Sequence, residues 1–93
     1  MVTIKVRAFA RFRELFGDSF EIQVSTPATM HSVIQAVGKR NERGLPELMD
    51  GEGKIIRSVI ILVNRERITG ERREEHSVAG GDEVAIYPPV AGG

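Results

Sequence analysis

Two alternating runs near the N-terminus do most to limit what this chain can become. Val2, Ile4, Val6 and Ala8 alternate with Thr3, Lys5 and Arg7, and Phe20, Ile22 and Val24 alternate with Glu21 and Gln23. A period of two sends successive side chains to opposite faces, so each run predicts a strand buried on one side only. The link between them is short, which implies an antiparallel pair. It holds Phe12, Leu15 and Phe16 and closes on Gly17-Asp18, so residues 10–16 are expected to form about two helical turns.

Downstream the period changes. Thr29 is an N-cap candidate ahead of Met30, Val33, Ile34 and Val37, the i, i+3, i+4, i+7 pattern of one helix face. Gly44, Pro46, Asp50, Gly51 and Gly53 mark residues 41–54 as a connection with one turn around Pro46. The β-branched run 58–63 predicts a fully buried strand, and Asn64-Arg65-Glu66-Arg67 a hairpin turn into a short strand at Ile68. Residues 71–77 form a charge cluster, Gly80-Gly81-Asp82 a turn, and 83–87 a last strand with Val84 and Ile86 facing inward. The expected fold class is α+β: one sheet carrying one main helix, in a single domain over residues 1–93.

Covalent help is absent, because the 93 residues contain no cysteine. Disulfides, Cys-ligated zinc, thiol nucleophiles and side-chain persulfides are thereby excluded. With 41% hydrophobic and 28% charged residues, the composition is that of an ordinary globular protein. Thirteen basic residues balance thirteen acidic ones, so no net field points to nucleic acid or an anionic membrane as partner. The longest apolar run, residues 59–63, falls far short of the ~20 residues of a membrane helix. Residues 1–6 lack a secretory pattern, and a cytoplasmic address is expected.

No self-contained active site is legible. His31 and His76 have no carboxylates at metal-site spacing, and no metal ligand is nominated. Gly80-Gly81 lacks the context of a phosphate loop, and the mixed Arg/Glu stretch 65–76 is a solvated hairpin. One surface feature stands out. Strand parity puts Phe9 and Tyr87 on the outward face, and if the first and last strands are parallel neighbours, the two aromatics meet at one end of it. That predicts a binding patch. The alternative is a small secondary core closed by Phe12 or nearby loops.

The last six residues, Pro88-Pro89-Val90-Ala91-Gly92-Gly93, leave the strand pattern. Prolines cannot donate to a ladder, and they predict an extended, projecting stem that ends in two glycines without Cβ. This block, read with Phe9-Ala10-x-x-Arg13-Glu14-Leu15-x-Gly17 and with Gly81-Asp82-Glu83-Val84-Ala85-Ile86-Tyr87, resembles the ubiquitin-like sulfur carriers. That family takes in the small subunit of molybdopterin synthase and the small archaeal modifier proteins. The block owes its specificity to the expectation that Gly93 is the true chain end.

The resemblance implies a β-grasp, a mixed sheet curled around the 30–37 helix with a flexible Gly-Gly tail. It also implies a chemistry for the tail. A terminal carboxylate is ionised at neutral pH and a poor electrophile. In the family, a ubiquitin-activating-type enzyme uses ATP to adenylate the last glycine, here Gly93. A persulfide from a sulfurtransferase then displaces AMP and leaves a thiocarboxylate. That sulfur goes to a pterin intermediate of molybdenum or tungsten cofactor synthesis, in a catalytic site belonging to the molybdopterin synthase large subunit. The carrier is then no enzyme by itself, has no catalytic residue of its own and binds no cofactor; ATP belongs to the activating partner.

By the same resemblance Pro88, Pro89, Val90, Ala91 and Gly92 thread into the partner, and Phe9, Tyr87 and Arg13 contact it. Relatives often carry an apolar contact near position 67, where this chain has Arg67. Three other functions share parts of the pattern: a modifier conjugated through Gly93 to target-protein lysines, the thiazole-forming carrier of thiamine synthesis, and an adaptor that only binds.

Overall fold

The N-terminal alternation becomes β1 (Val2–Ala8), in which Ile4, Val6 and Ala8 are fully buried while Lys5 and Arg7 are exposed. A computed structural model of the chain describes residues 1–89. A short helix α1 (Arg11–Phe16) follows, then β2 (Ser19–Val24), paired antiparallel to β1 with Val6 opposite Phe20 and Ile4 opposite Ile22. Between β1 and α1 the chain turns at Ala10, whose φ of 53° lies in the left-handed region that residues other than glycine rarely adopt. The open carbonyls at the end of α1 are satisfied from a distance. Arg40 Nε donates to Phe16 O at 2.9 Å and Asn41 Nδ2 to Leu15 O at 3.1 Å.

The main helix is α2 (Met30–Gly38). Thr29 caps it as expected: its Oγ1 accepts the Ser32 N–H, and Ser32 Oγ accepts the Thr29 N–H at 2.9 Å. Met30, Val33, Ile34 and Val37 are all fully buried, and each contributes roughly 1.5–3 kcal/mol of transfer free energy. Gly38 is the last residue of the helix, and the Leu45 side chain lies where a Cβ on it would stand. The connection after α2 is more ordered than its Gly/Pro content suggests. A 3₁₀ turn spans Glu42–Glu47, Leu48 and Met49 are buried, and Met49 bridges to Ile55.

Three further strands complete the sheet: β3 (Ile60–Val63), β4 (Glu66–Ile68) and β5 (Glu83–Tyr87), with a 3₁₀ turn at Arg73–Glu75 between the last two. The strand order is β2-β1-β5-β3-β4. Only β1 and β5, at its centre, run parallel. Residues of α1, α2 and the inner face of this sheet share one hydrophobic cluster. The result is the ubiquitin-like β-grasp.

Two expectations need correcting. The run 58–63 is not a fully buried strand: it starts at Ile60, and only Ile61 and Val63 face the core, with Ile60 and Leu62 half-buried on the outer face. An apolar residue on both faces hides the alternation. The hairpin turn is also tighter than expected, since Asn64 and Arg65 alone make it, at φ 49° and 74°. Two positive values match the twist of a two-residue hairpin, which leaves Glu66 and Arg67 free to pair as strand.

Asn64 is tied across to the turn that opens β5. Its Oδ1 accepts the Glu83 N–H at 3.0 Å, and its Nδ2 donates to Asp82 Oδ1 at 3.1 Å. Asp82 Oδ2 accepts the Ala79 N–H at 2.8 Å. The Ala79 N–H and then the Asn64 amide hold the Asp82 carboxyl below its ordinary range. A carboxylate depressed on folding stabilises above its unfolded pKa, and the contribution is lost as pH falls through the folded one. Asp82→Ala is expected to lower the melting temperature by a few degrees at neutral pH, and the gap to wild type should close in strong acid. A gap independent of pH would show that the ionised carboxylate is not what holds this turn.

Candidate functional site: the outer face of the sheet

The strand registers that reach β5 build the outer face in three cross-sheet rows. In the row farthest from the C-terminal end of β5, Lys5 stands opposite both Glu21 and Glu83. The middle row runs Ser19, Arg7, Ala85, Leu62, Arg67 across all five strands. The last row joins Ile60 to Tyr87 and adds Phe9, whose N–H donates to Ile86 O at 3.2 Å and so continues β1 along β5.

Phe9 and Tyr87 stack, with ring centroids 4.2 Å apart and planes only 3° from parallel. The Arg7 guanidinium sits 5.2 Å from the Phe9 centroid, within cation–π range. Phe9, Tyr87, Ile60 and Leu62 are each half-buried. Phe12 does not close a secondary core over this pair. Phe12 is only 1% exposed and belongs to the main core beside Phe16. It lies behind the sheet rather than over the aromatic pair.

Of the residues expected to contact a partner, the structure brings Phe9 and Tyr87 together. Arg13 is exposed on α1, and its side chain makes no hydrogen bond or ion pair among the described residues. Arg7, Ile60 and Leu62 were not nominated from sequence. Outward parity in β1 marks Arg7, but nothing local marks the other two. Pro88 is half-buried and Pro89 exposed, directly beyond β5, so the tail leaves the sheet beside the aromatic stack. Val90, Ala91, Gly92 and Gly93 lie outside the described residues.

A groove of about 590 Å³ opens beside β4, lined among others by Lys54, Ile56, Arg67, Ile68, Arg73 and Glu74. Its floor is held by Arg73, which donates to Val59 O at 2.6 Å and to Ile56 O at 3.1 Å. Burial lowers the Arg73 pKa, Glu74 works against that, and the nearby Arg67 charge lowers it further. The remaining shifts belong to surface pairs. Glu47 raises Arg11, Glu75 raises Arg72, and Arg72 holds Glu75 down. Among the described residues no three His, Cys, Asp or Glu side chains gather as a metal site, and no helix is long and apolar enough to cross a membrane. Among the described residues the outer face thus combines a half-buried aromatic stack, two half-buried aliphatic side chains and the arginines Arg7 and Arg67.

Comparison with known proteins agrees with this geometry. The sequence profile of the ThiS family matches residues 6–93. The molybdopterin synthase sulfur carrier subunit of Escherichia coli is 34% identical over 91 residues, spanning 97% of this chain and 99% of that protein. Small archaeal modifier protein 3 of Haloferax volcanii is 30% identical over 91 residues, spanning 97% and 98%. Among solved structures, molybdopterin converting factor subunit 1 from Pyrococcus furiosus superposes with a TM-score of 0.75 at 31% identity, covering 97% of this chain and all of that one.

Proposed function

This chain belongs to the ThiS family, and on that premise we propose that it is a sulfur carrier, the small subunit of a molybdopterin synthase. The observation that carries the proposal is the full-length similarity to a named carrier subunit, read with the Gly92-Gly93 end. The Gly93 carboxylate attacks the α-phosphorus of ATP in an adenylating partner and pyrophosphate leaves. The terminal sulfur of a sulfurtransferase persulfide then attacks the acyl carbon and expels AMP. A partner thiol cleaves the acyl disulfide so formed, taking the persulfide's inner sulfur into a disulfide and leaving the thiocarboxylate on Gly93. The large subunit supplies the site where that sulfur is delivered to the pterin intermediate, and the carrier is recycled.

Each part of the chain has a place in this scheme. Glycines without Cβ suit a narrow channel, and Pro88-Pro89 reduce the ordering entropy lost when Val90, Ala91 and Gly92 are threaded. ATP enters with the partner. The stacked Phe9–Tyr87 pair, flanked by Ile60 and Leu62, is the docking face. Conjugation through Gly93 to lysines is the second reading, favoured by the similarity to the archaeal modifier protein. Intact-mass measurement after incubation with the adenylating enzyme, ATP and the sulfurtransferase separates them. Exchange of one oxygen for sulfur supports the carrier; branched, heavier species without that exchange would replace it by the modifier.

Phe9→Ala and Tyr87→Ala are each expected to raise KM for adenylation by about tenfold or more, as anchors at the centre of an interface do. Their cost in stability should stay near ~1 kcal/mol, the worth of a half-buried aromatic stack. Kinetics run beside chemical denaturation provide the check. A collapse in stability at unchanged KM would assign the pair to the fold and not to the partner.

A further inference from the structure

The charges on the outer face are not evenly distributed. In the Lys5 row, one positive charge stands between two negative ones, Glu21 and Glu83, so that row carries an acidic excess. In the middle row Arg7 and Arg67 stand on either side of Ala85 and Leu62, and the row contains no carboxylate. The ion pairs among the described residues are Arg11–Glu47, Arg57–Glu71 and Arg72–Glu75, so neither Arg7 nor Arg67 takes part in one.

The acids bordering the groove beside Arg67 are already engaged. Asp50 Oδ1 accepts the N–H groups of Glu52 and Lys54, Glu74 Oε1 accepts the Ile55 N–H, and Glu71 faces Arg57. In a chain with equal numbers of acidic and basic residues, two uncompensated arginines at the edges of its apolar face are a local excess. Arg7 is held in place over the Phe9 ring, and Arg67 opens onto the groove.

We infer that this face recognises a partner surface with an apolar centre and two carboxylates, one meeting Arg7 and the other Arg67. Three strand spacings of about 4.8 Å separate β1 from β4, which sets those carboxylates about 14 Å apart. The occupant is the docking surface of the adenylating enzyme, so the inference rests on the function proposed above and adds the chemistry by which that enzyme is selected. Covering the aromatic stack strips water from both guanidiniums. A partner without acids leaves two desolvated charges unpaired and is rejected, whereas one with acids gains association rate and register.

The test is pyrophosphate exchange by the cognate adenylating enzyme on the full chain, with Arg67→Glu compared against Lys39→Glu. Both change the net charge by the same amount, but Lys39 is exposed at the end of α2, on the helix side of the sheet. Arg67→Glu is expected to raise KM about tenfold or more with kcat and melting temperature kept, and Arg67→Lys to recover most of the loss. The wild-type KM should rise with salt, and the variant's should not. Equal effects of the two glutamate variants would mean that only net charge matters and would overturn the inference. So would an unchanged KM in both. No exchange with the wild-type chain would remove the proposed function itself, and this inference with it.

Discussion

Deleting Gly93, or adding one residue beyond it, is expected to abolish adenylation and sulfur transfer while leaving the melting temperature at the wild-type value. The reason is geometric. The terminal carboxylate must approach the α-phosphate of ATP to about 3–3.5 Å, and one residue moves it by roughly 3.3–3.6 Å, a full reaction distance. Gly92→Val should be nearly as damaging, because a β-branched side chain would clash in a narrow channel and restrict the backbone. Stability should not follow activity, since the core cluster of the described residues ends at Ile86. Pyrophosphate exchange and thiocarboxylate formation, read beside a melting curve, make the comparison. An extended protein that stays uncleaved and is still sulfurated at the normal rate would take away the main support of the carrier reading and advance the adaptor.

The second large effect concerns two phenylalanines three positions apart. Phe12→Ala is expected to cost about 3–5 kcal/mol, a large share of the ~5–15 kcal/mol that holds a domain together. Phe12 is 1% exposed and packs on Phe16 at a centroid distance of 6.2 Å, so truncation opens a cavity that the sheet cannot close. Phe9 lies on the other side of the same sheet, where its ring meets Tyr87 and solvent. Chemical denaturation of the two alanine variants should therefore separate them by several-fold in lost stability. If the order were reversed, the assignment of inner and outer faces would be wrong, and the docking surface with it.

Facing was legible wherever one side of an element is polar. Ile4, Val6 and Ala8 against Lys5 and Arg7 mark the buried side of β1, and Val84 and Ile86 do the same for β5. Thr29 announced the start of α2 because an N-cap is a local hydrogen-bond arrangement, visible within four residues. The outward placement of Phe9 and Tyr87 followed from parity alone. β3 was misread for the converse reason. Ile60 and Leu62 are as apolar as Ile61 and Val63, so no alternation of polarity marks which face of β3 is buried. Arg7 was not nominated although outward parity marks it, because the stacking of its guanidinium on the Phe9 ring shows only in the structure.

Local patterning thus determined which segments are strands and helix, and which face of most of them is buried. Both depend on neighbours within a few residues. The two hairpin pairs, β1 with β2 and β3 with β4, were legible from their short links, but the tertiary structure alone decided how β5 joins them. The parallel pairing of β1 with β5 joins residues about eighty positions apart and puts Phe9 on Tyr87, while β3 and β4 bring Leu62 and Arg67 into the row of Arg7 and Ala85. No periodicity encodes such a row, because it is set by how the whole sheet closes over α2. The outer face, with its aromatic stack beside Arg7 and with Arg67 across the sheet, exists only once that closure has taken place.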